Sequence, residues 1–131
     1  MAQINIVVVT PETTTLDAEV ESVTVPMFDG SAGILAGHAP MIGRLGPGEL
    51  RTQSGGTTER YYVDGGFVQV EGNVVSVLTG SSFQASDIDL AEAKAALAEA
   101  EARDAETPEL AAVKRKAVAQ ARAKVRVAEG S

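Results

Sequence analysis

The sequence predicts a β + α protein: an N-terminal antiparallel flattened β-sandwich or barrel, followed by a C-terminal two-helix antiparallel hairpin. Two observations carry this prediction. Glycine and β-branched residues dominate residues 1–86, which hold 12 of the 13 glycines. Alanine, glutamate, lysine and arginine dominate residues 87–131, where 15 of the 45 positions are alanine. The first composition favours strands and the second favours helices, so we expect two domains, 1–86 and 87–131.

The composition limits the functions open to this chain. It has 131 residues, a net charge of −7, one histidine and no cysteine. These counts exclude a disulfide framework, a thiolate metal site and a His-rich zinc site. The acidic balance disfavours a whole-chain nucleic-acid binder, because phosphates require a positive excess. The longest aliphatic run, residues 6–9, is far shorter than the roughly 20 residues that span a bilayer, so we expect no membrane insertion. Residues 1–3 carry no basic charge ahead of that run, so we expect no signal peptide.

Alternating apolar positions predict the first strands. Residues 4–9 form one strand, and residues 16–20 alternate apolar with acidic side chains, as a strand with one wet face does. The apolar phase then shifts to Val23 and Val25. A one-residue shift turns the buried face over, so the sequence predicts a β-bulge near Ser22.

Glycine-containing segments predict the turns. Residues 46–49, Gly-Pro-Gly-Glu, fit a type II turn. Residues 53–57 predict a hairpin loop, and residues 72–73, Gly-Asn, predict a two-residue hairpin turn. Between them, residues 60–70 predict a long strand. Its Gly-Gly pair at 65–66 indicates either a bulge or a close approach of two backbones.

The second half predicts two helices joined by a short connection. Residues 86–89, Ser-Asp-Ile-Asp, predict a capping box at the start of the first helix. Thr107 and Pro108 predict the N-cap and first position of the second. Apolar residues recur at helical spacing in both: Leu90, Ala93, Leu97 and Ala100, then Leu110, Val113, Ala117, Ala121, Val125 and Ala128. The connection at about 104–107 is short, so we expect the helices to fold back on each other.

Charge distinguishes the two helices. Residues 87–106 have a net charge of −5 and residues 107–131 a net charge of +4. The two are complementary, but the facing residues are mostly alanine and offer little apolar area. We therefore form the hypothesis that the hairpin is mobile and that its basic helix has an acidic partner elsewhere. The alternative is that these charges only solvate a surface hairpin.

No constellation of catalytic residues is recognisable. The sequence lacks a nucleophile elbow and a phosphate-binding loop with its lysine. Asp87 and Asp89 stand at a helix start, where acids stabilise the positive end of the dipole. His38 is alone in a turn-like segment and is interpreted as a loop contact. Tyr61, Tyr62 and Phe67 are predicted to be core residues; we expect no enzyme active site and no metal site.

A family resemblance emerges from specific segments spread along the chain. They are residues 33–40 with the run Gly37-His38-Ala39-Pro40, the Leu-Gly-Pro-Gly of 45–48, residues 63–70, the helix start at 87–89, and the Arg-Val-Ala-Glu of 126–129. In order and spacing they resemble the epsilon subunit of bacterial F-type ATP synthase. The resemblance covers essentially the whole chain and implies a sandwich followed by a helical hairpin, as predicted above.

The resemblance implies a rotor subunit of the proton-transporting enzyme, with no active site of its own. Its sandwich is expected to grip the gamma subunit and to sit on the ring of membrane c subunits. It would then transmit rotation to the catalytic head, peripherally on the cytoplasmic side of the bacterial plasma membrane. The implied ring and gamma contacts lie around one loop: Ser31, Gly37, His38, Ala39 and Pro40. In relatives an acidic residue often stands at the position of Ser31.

The hairpin of this family can also extend along the rotor and inhibit ATP hydrolysis. The resemblance then implies that the basic side chains of the second helix face acidic surface of the catalytic alpha and beta subunits. This agrees with the partner hypothesis drawn from charge. The residues are Lys114, Arg115, Lys116, Arg122, Lys124 and Arg126.

Some relatives bind ATP through an Ile/Leu-Asp-x-x-Arg-Ala motif at the first helix start. The matching run here begins at Ile88 and Asp89, and Glu92 replaces the arginine. A carboxylate at that position repels phosphate. Arg122 and Arg126 are the remaining candidates for phosphate contact, and we expect no cofactor and no tight ATP binding.

Two other classes of function stay open at this stage. One is a free-standing small-molecule-binding sandwich with a helical interaction tail. The other is a nucleic-acid adaptor that uses the basic helix, whose binding would depend steeply on salt.

Overall fold

A computed structural model describes residues 3–130. The described residues leave out Met1, Ala2 and Ser131. Part of the segment on which the expectation of no signal peptide rests therefore lies outside them. Eight strands precede two helices. A short 3₁₀ turn, Ala85–Asp87, joins the two parts. The strands are β1 Ile4–Val9, β2 Thr14–Val20, β3 Ser22–Met27, β4 Gly30–Leu35, β5 Met41–Ser54, β6 Thr57–Glu71, β7 Val74–Leu78 and β8 Ser82–Gln84; the helices are α1 Leu90–Glu101 and α2 Pro108–Glu129.

The strands form one continuous sheet that folds on itself into a sandwich. The order is β2-β1-β7-β6-β5-β3-β4, and β8 pairs with the first half of β6. All pairs are antiparallel except β1 with β7, which run parallel. The predicted fold class is thus confirmed, with this one parallel pair as a correction. Aliphatic side chains from both layers fill the interior, among them Ile6, Val25, Leu50 and Val75.

The predicted turn at residues 46–49 is wrong. These residues lie inside β5, a strand of 14 residues that pairs with the 15-residue β6 along its whole length. Leu45 pairs with Gly66 and Pro47 with Asp64, so the register is the same on both sides of the Gly-Pro pair. The chain turns only at Gly55 and Gly56, where the hairpin loop was predicted.

The phase shift near Ser22 marks a change of partner strand and not a bulge. β2 pairs with β1 at one edge of the sheet, whereas β3 pairs with β4 and β5 near the other edge. Val20 and Val23 both point into the core. The chain therefore crosses between layers at Glu21, and each strand keeps its own alternation.

The Gly65-Gly66 pair permits a close approach of two backbones. A Cβ atom built on Gly66 would lie 1.9 Å from the carbonyl oxygen of Leu78, and the φ angle of Gly66 is +108°. An L-residue there would meet both overlap and a disfavoured backbone conformation. Of the two alternatives drawn from the sequence, close approach is the one observed.

The helices form the predicted antiparallel hairpin, but α1 begins later than predicted. Its N-cap is Asp89, whose carboxylate accepts a hydrogen bond from the Glu92 amide at 3.1 Å. Ser86 is held in the 3₁₀ turn, so the predicted capping box is wrong. Thr107 caps α2 as predicted, through a 3.1 Å bond from the Leu110 amide.

The hairpin docks on the sandwich through the second half of α2. Ala123 and Val127 pack against Tyr62 of β6, with Ile88 alongside. The first turns of α2 extend away from this contact, so Leu110 and Val113, which begin the predicted apolar stripe, are 43% and 56% exposed. Neither of the described helices is long and apolar enough to cross a membrane.

Candidate functional site

A row of large exposed side chains crosses the outer face of the sheet. Phe67 of β6 lies directly opposite Leu78 of β7 on one side and Arg44 of β5 on the other. The Arg44 guanidinium lies 5.6 Å from the ring centroid of Phe28, in the turn after β3. Directly opposed residues of a strand pair project to the same face, so these four side chains form one surface. We call Phe28, Arg44, Phe67 and Leu78 the apolar row; its three apolar members are 68%, 58% and 54% exposed.

The sequence reasoning missed this row and placed Phe67 in the core. A signal was present, because Phe67 immediately precedes Val68, and alternation in a strand places neighbours on opposite faces. Val68 is fully buried, so Phe67 faces outward. Only three phenylalanines occur in the chain, and two of them belong to this surface.

The segment Gly37-His38-Ala39-Pro40 forms the connection from β4 to β5 at one end of the sandwich. Gly37 has a φ angle of +83°, and the His38 amide donates to the Leu35 carbonyl at 3.1 Å. The His38 ring nitrogen Nδ1 lies 2.7 Å from the Ala39 carbonyl oxygen, to which it donates. The loop is thus folded by local bonds, and its side chains reach the solvent.

Ser31 lies in β4 and not in this loop. It pairs with Pro26 of β3, close to the turn that carries Phe28, whereas Gly37 follows the far end of the strand. At roughly 3.3 Å per residue the strand separates the two positions by about 20 Å. The predicted ring and gamma contacts therefore fall into two groups, with Ser31 nearer the apolar row.

Two polar side chains of β6 reach carbonyl oxygens of α2. Arg60 Nη2 donates to Val127 at 2.9 Å, and the same guanidinium is ion-paired with Glu49 of β5. The Tyr62 hydroxyl lies 3.4 Å from the Gln120 carbonyl and 2.8 Å from Asp64 Oδ1. Arg60 thereby places a cation at the negative end of the helix dipole.

The two tyrosines of β6 hold their protons tightly. Burial raises the pKa of Tyr62 far above its usual range, and the hydrogen bond to the Asp64 carboxylate raises it further. Burial, followed by the bond to the Glu59 carboxylate, raises the pKa of Tyr61 to about 12. Both hydroxyls therefore act as donors at neutral pH.

The six basic residues predicted to meet the catalytic head lie in different surroundings. Lys124 Nζ stands 4.3 Å from the Phe83 ring centroid, and Arg122 pairs with Glu101 at 3.5 Å across the hairpin. Within the described part of the chain, Lys114, Arg115 and Lys116 make no ion pair. These three form a basic cluster beside the exposed Leu110 and Val113.

The residues considered for ATP binding are not brought together. Ile88 and Asp89 line a groove of about 320 Å³ with Asp87, Glu92 and Lys124. Three carboxylates and one ammonium make a poor phosphate site. Arg126 lines a separate groove beside Glu49, and Arg122 is paired with Glu101. Among the described residues there is no cluster of three acidic or imidazole groups that could hold a metal ion.

Comparison with known proteins agrees with this architecture. The family model for the ATP synthase, Delta/Epsilon chain, beta-sandwich domain matches residues 3–85. The chain is 53% identical over 123 residues to the ATP synthase epsilon chain of Rhodopirellula baltica, covering 94% of this chain and 96% of that one. It is 44% identical over 104 residues to that of Symbiobacterium thermophilum, covering 79% and 75%.

Solved structures resemble the whole arrangement of sandwich and hairpin. A chain in the cryo-EM structure of Euglena gracilis mitochondrial ATP synthase, OSCP/F1/c-ring, has a TM-score of 0.83 at 27% identity, covering 93% of this chain and 79% of that one. A chain of the Tetrahymena thermophila enzyme, in a structure of its central stalk and c-ring, has a TM-score of 0.71 at 16% identity, with 97% of each chain covered. The second likeness concerns the fold alone.

The structure is a strand sandwich with a docked helical hairpin, and the matching family model is that of the delta/epsilon chain. Together they define the class of protein, which is a small chain of an ATP synthase. Within that class, the chain belongs to the ATP synthase epsilon chain family, as its resemblance predicted. This assignment replaces both the free-standing binding sandwich and the nucleic-acid adaptor.

Proposed function

We propose that this chain is a non-catalytic part of the central stalk that couples rotation of the c-ring to ATP synthesis in the catalytic head. The apolar row carries this proposal. Aromatic and arginine side chains dominate the binding energy of protein interfaces. Contiguous exposed apolar surface of this kind marks an interaction site. The row is built to be covered by another protein.

Two contacts on the stalk fit two parts of the sandwich. The apolar row, with Ser31 near it, fits the gamma subunit, because a broad sheet face can grip an elongated partner. The loop of Gly37, His38, Ala39 and Pro40 stands at one end of the sandwich and fits the surface of the c-ring. The similar chain from Euglena belongs to an assembly that holds both F1 and the c-ring, which supports this arrangement.

The hairpin fits a regulatory contact with the catalytic alpha and beta subunits. Three cations without an ion pair among the described residues, Lys114, Arg115 and Lys116, stand beside exposed apolar side chains on α2. An acidic surface on the head would attract these charges, and α2 would reach further towards it if the hairpin left the sandwich. Contact of this kind would slow ATP hydrolysis while the complex stays assembled. The whole subunit would lie peripherally on the cytoplasmic side of the membrane that holds the ring.

One titration tests the gamma contact. The full chain is bound to a catalytic head that contains gamma but lacks this subunit. Phe67→Ser should weaken binding by about 2 kcal/mol, roughly 30-fold, as loss of an interface anchor does. Leu35→Ser is the matched control, since Leu35 is exposed to a similar extent but lies at the end of β4 far from the row. Equal affinity of Phe67→Ser and the natural chain would disprove the role of the row.

The same complexes test regulation by their rate of ATP hydrolysis. The natural chain should slow hydrolysis, and a variant with Lys114→Glu, Arg115→Glu and Lys116→Glu should bind equally but slow it less. Lys94→Glu, a charge reversal on exposed α1, should behave like the natural chain. If the triple variant slows hydrolysis as well as the natural chain, the basic cluster has no part in regulation.

A further inference from the structure

Asn73 occupies an unusual position in the turn between β6 and β7. It is the single non-glycine residue with a positive φ angle among the described residues, at +64°, and Gly72 before it has +56°. A two-residue turn of this type needs positive φ at both central positions, and glycine meets that need without strain. The backbone of the turn therefore does not require an asparagine side chain at position 73.

The Asn73 side chain is used for a contact far along the chain. Its Oδ1 accepts a hydrogen bond from the Gly37 amide at 2.8 Å, across 36 positions of sequence. Its own carbonyl accepts from the Asn5 amide at 2.9 Å, which fixes the turn to the start of β1. One residue thus joins the β6–β7 turn, the edge of β1 and the loop after β4.

The bond to Asn73 is the one that orients the Gly37–His38 loop on the sandwich. The other hydrogen bonds of described residues 36–40 are local: the His38 amide to Leu35 and the His38 ring to Ala39. Those bonds shape the loop from within, and Ala36 before it packs against the core. Among the described residues, the Asn73 bond is the hydrogen bond that joins this loop to a distant part of the chain, and it ends on Gly37, directly before His38.

We propose that Asn73 is a positioning residue, which holds the Gly37–His38 loop in the orientation that meets the c-ring. The inference rests on the proposed ring contact of that loop. A loop that is ordered before binding loses less conformational entropy when the partner arrives. Asn73 contributes affinity in this way without touching the ring.

The first measurement uses the full chain alone. Asn73→Gly keeps the backbone of the turn and removes the acceptor, so the Gly37 amide should exchange with solvent on the order of 10-fold faster. Asn73→Asp retains an oxygen acceptor at the same distance and should restore slow exchange. The melting temperature of both variants should stay near that of the natural chain, since the sandwich core is unchanged. Unchanged exchange of the Gly37 amide in Asn73→Gly would overturn the inference at this step.

The second measurement is binding to a ring–gamma assembly that lacks this subunit. Asn73→Gly should bind roughly 5- to 10-fold more weakly, and Asn73→Asp should recover most of that loss. His38→Ala, in the loop itself, reports on the ring contact independently. Weaker binding of His38→Ala with unchanged binding of Asn73→Gly would overturn the role of Asn73 and leave the ring contact standing. Unchanged binding of both variants would overturn the ring contact and the inference together.

Discussion

The sandwich and the hairpin are held together by different kinds of side chain. The sandwich interior is filled by branched aliphatic residues that are almost wholly buried, such as Ile6, Val25 and Val63. The hairpin seam is built from alanines, among which Ala93 and Ala100 are buried. Buried apolar area stabilises by about 25 cal/mol per Å², so a seam of methyl groups contributes little per residue. We therefore expect the hairpin to open more readily than the sandwich.

The hairpin is also attached to the sandwich by little apolar contact. The apolar part of this attachment is a small cluster around Tyr62, Ala123 and Val127. Much of its specificity comes from the hydrogen bonds of Arg60 and Tyr62 to α2 carbonyls. Polar contacts of this kind fix one docked position at a modest net free energy. A docked state of this sort is suited to competition with another partner.

The largest expected effect is on the sandwich. Gly66→Ala places a methyl group against the Leu78 carbonyl and forces a disfavoured φ angle. We expect the free energy of unfolding to fall by about 3 kcal/mol, because neither backbone can move without breaking the β6–β7 pairing. A shift of the urea midpoint for the whole chain measures it.

Gly55→Ala is the matched control for this substitution. Gly55 also has a positive φ angle, +57°, but a Cβ atom built on it would have no other atom within 4 Å. It should cost only about 1 kcal/mol, from the backbone conformation alone. Equal losses for the two variants would show that the close approach at Gly66 contributes nothing.

A smaller effect is expected at the attachment of the hairpin. Arg60→Met keeps the length of the side chain and removes its bond to Val127 and its pairing with Glu49. The docked hairpin should lose about 1.5 kcal/mol, so the amides of α2 should exchange roughly 10-fold faster while those of β1 and β7 do not change.

Arg51→Met separates the two roles of Arg60. Arg51 also pairs with Glu49, at 3.5 Å, but its side chain is half exposed and makes no bond to α2 within residues 3–130. Exchange in α2 should therefore stay at its natural rate in Arg51→Met. A rise equal to that of Arg60→Met would assign the effect to Glu49 and not to the bond with the helix.

The sequence predicted those parts of the fold that have a local signature. Alternation located the strands, residues 72–73 located a turn, and Thr107 located a helix start. Residues 46–49 contain types that favour turns, yet they lie inside a long strand, where Pro47, Gly48 and Glu49 pair with residues 62–64 of β6. Ser86 and Asp89 are both suitable caps, and only the 3₁₀ turn decides between them.

The candidate site was predictable only where its residues are neighbours in sequence. The loop of residues 37–40 was found by its motif, and the basic cluster of α2 by its charge. The bonds from Arg60 to Val127 and from the Gly37 amide to Asn73 join positions 67 and 36 residues apart. No local pattern marks such pairs, since each depends on how the layers meet.

The smallest expected effect is a loss of stability in alkaline solution. The folded chain raises the pKa of both tyrosines above the unfolded value of 10.0, so the folded state binds the proton more tightly. Their contribution is complete below pH 10 and is lost as the pH rises through the folded pKa. Together the two tyrosines should remove about 1 kcal/mol between pH 10 and pH 11, because both hydroxyls keep part of their contact with solvent and each contribution is weakened accordingly. Urea unfolding at these pH values measures the sum.

Each tyrosine contributes to this alkaline loss of stability in a different place: Tyr61 within the sandwich, and Tyr62 where the hairpin docks. Asp64, Glu99, Arg103 and Lys124 surround the groove beside Tyr62. Tyr62→Phe keeps those groups and removes the hydroxyl. The free energy of unfolding should then fall less between pH 10 and pH 11 than it does in the natural chain. Tyr61→Phe removes the bond to Glu59, within the sandwich, and should also reduce the loss of stability. If Tyr62→Phe loses stability with the same pH dependence as the natural chain, then Tyr62 makes no contribution to the loss at high pH.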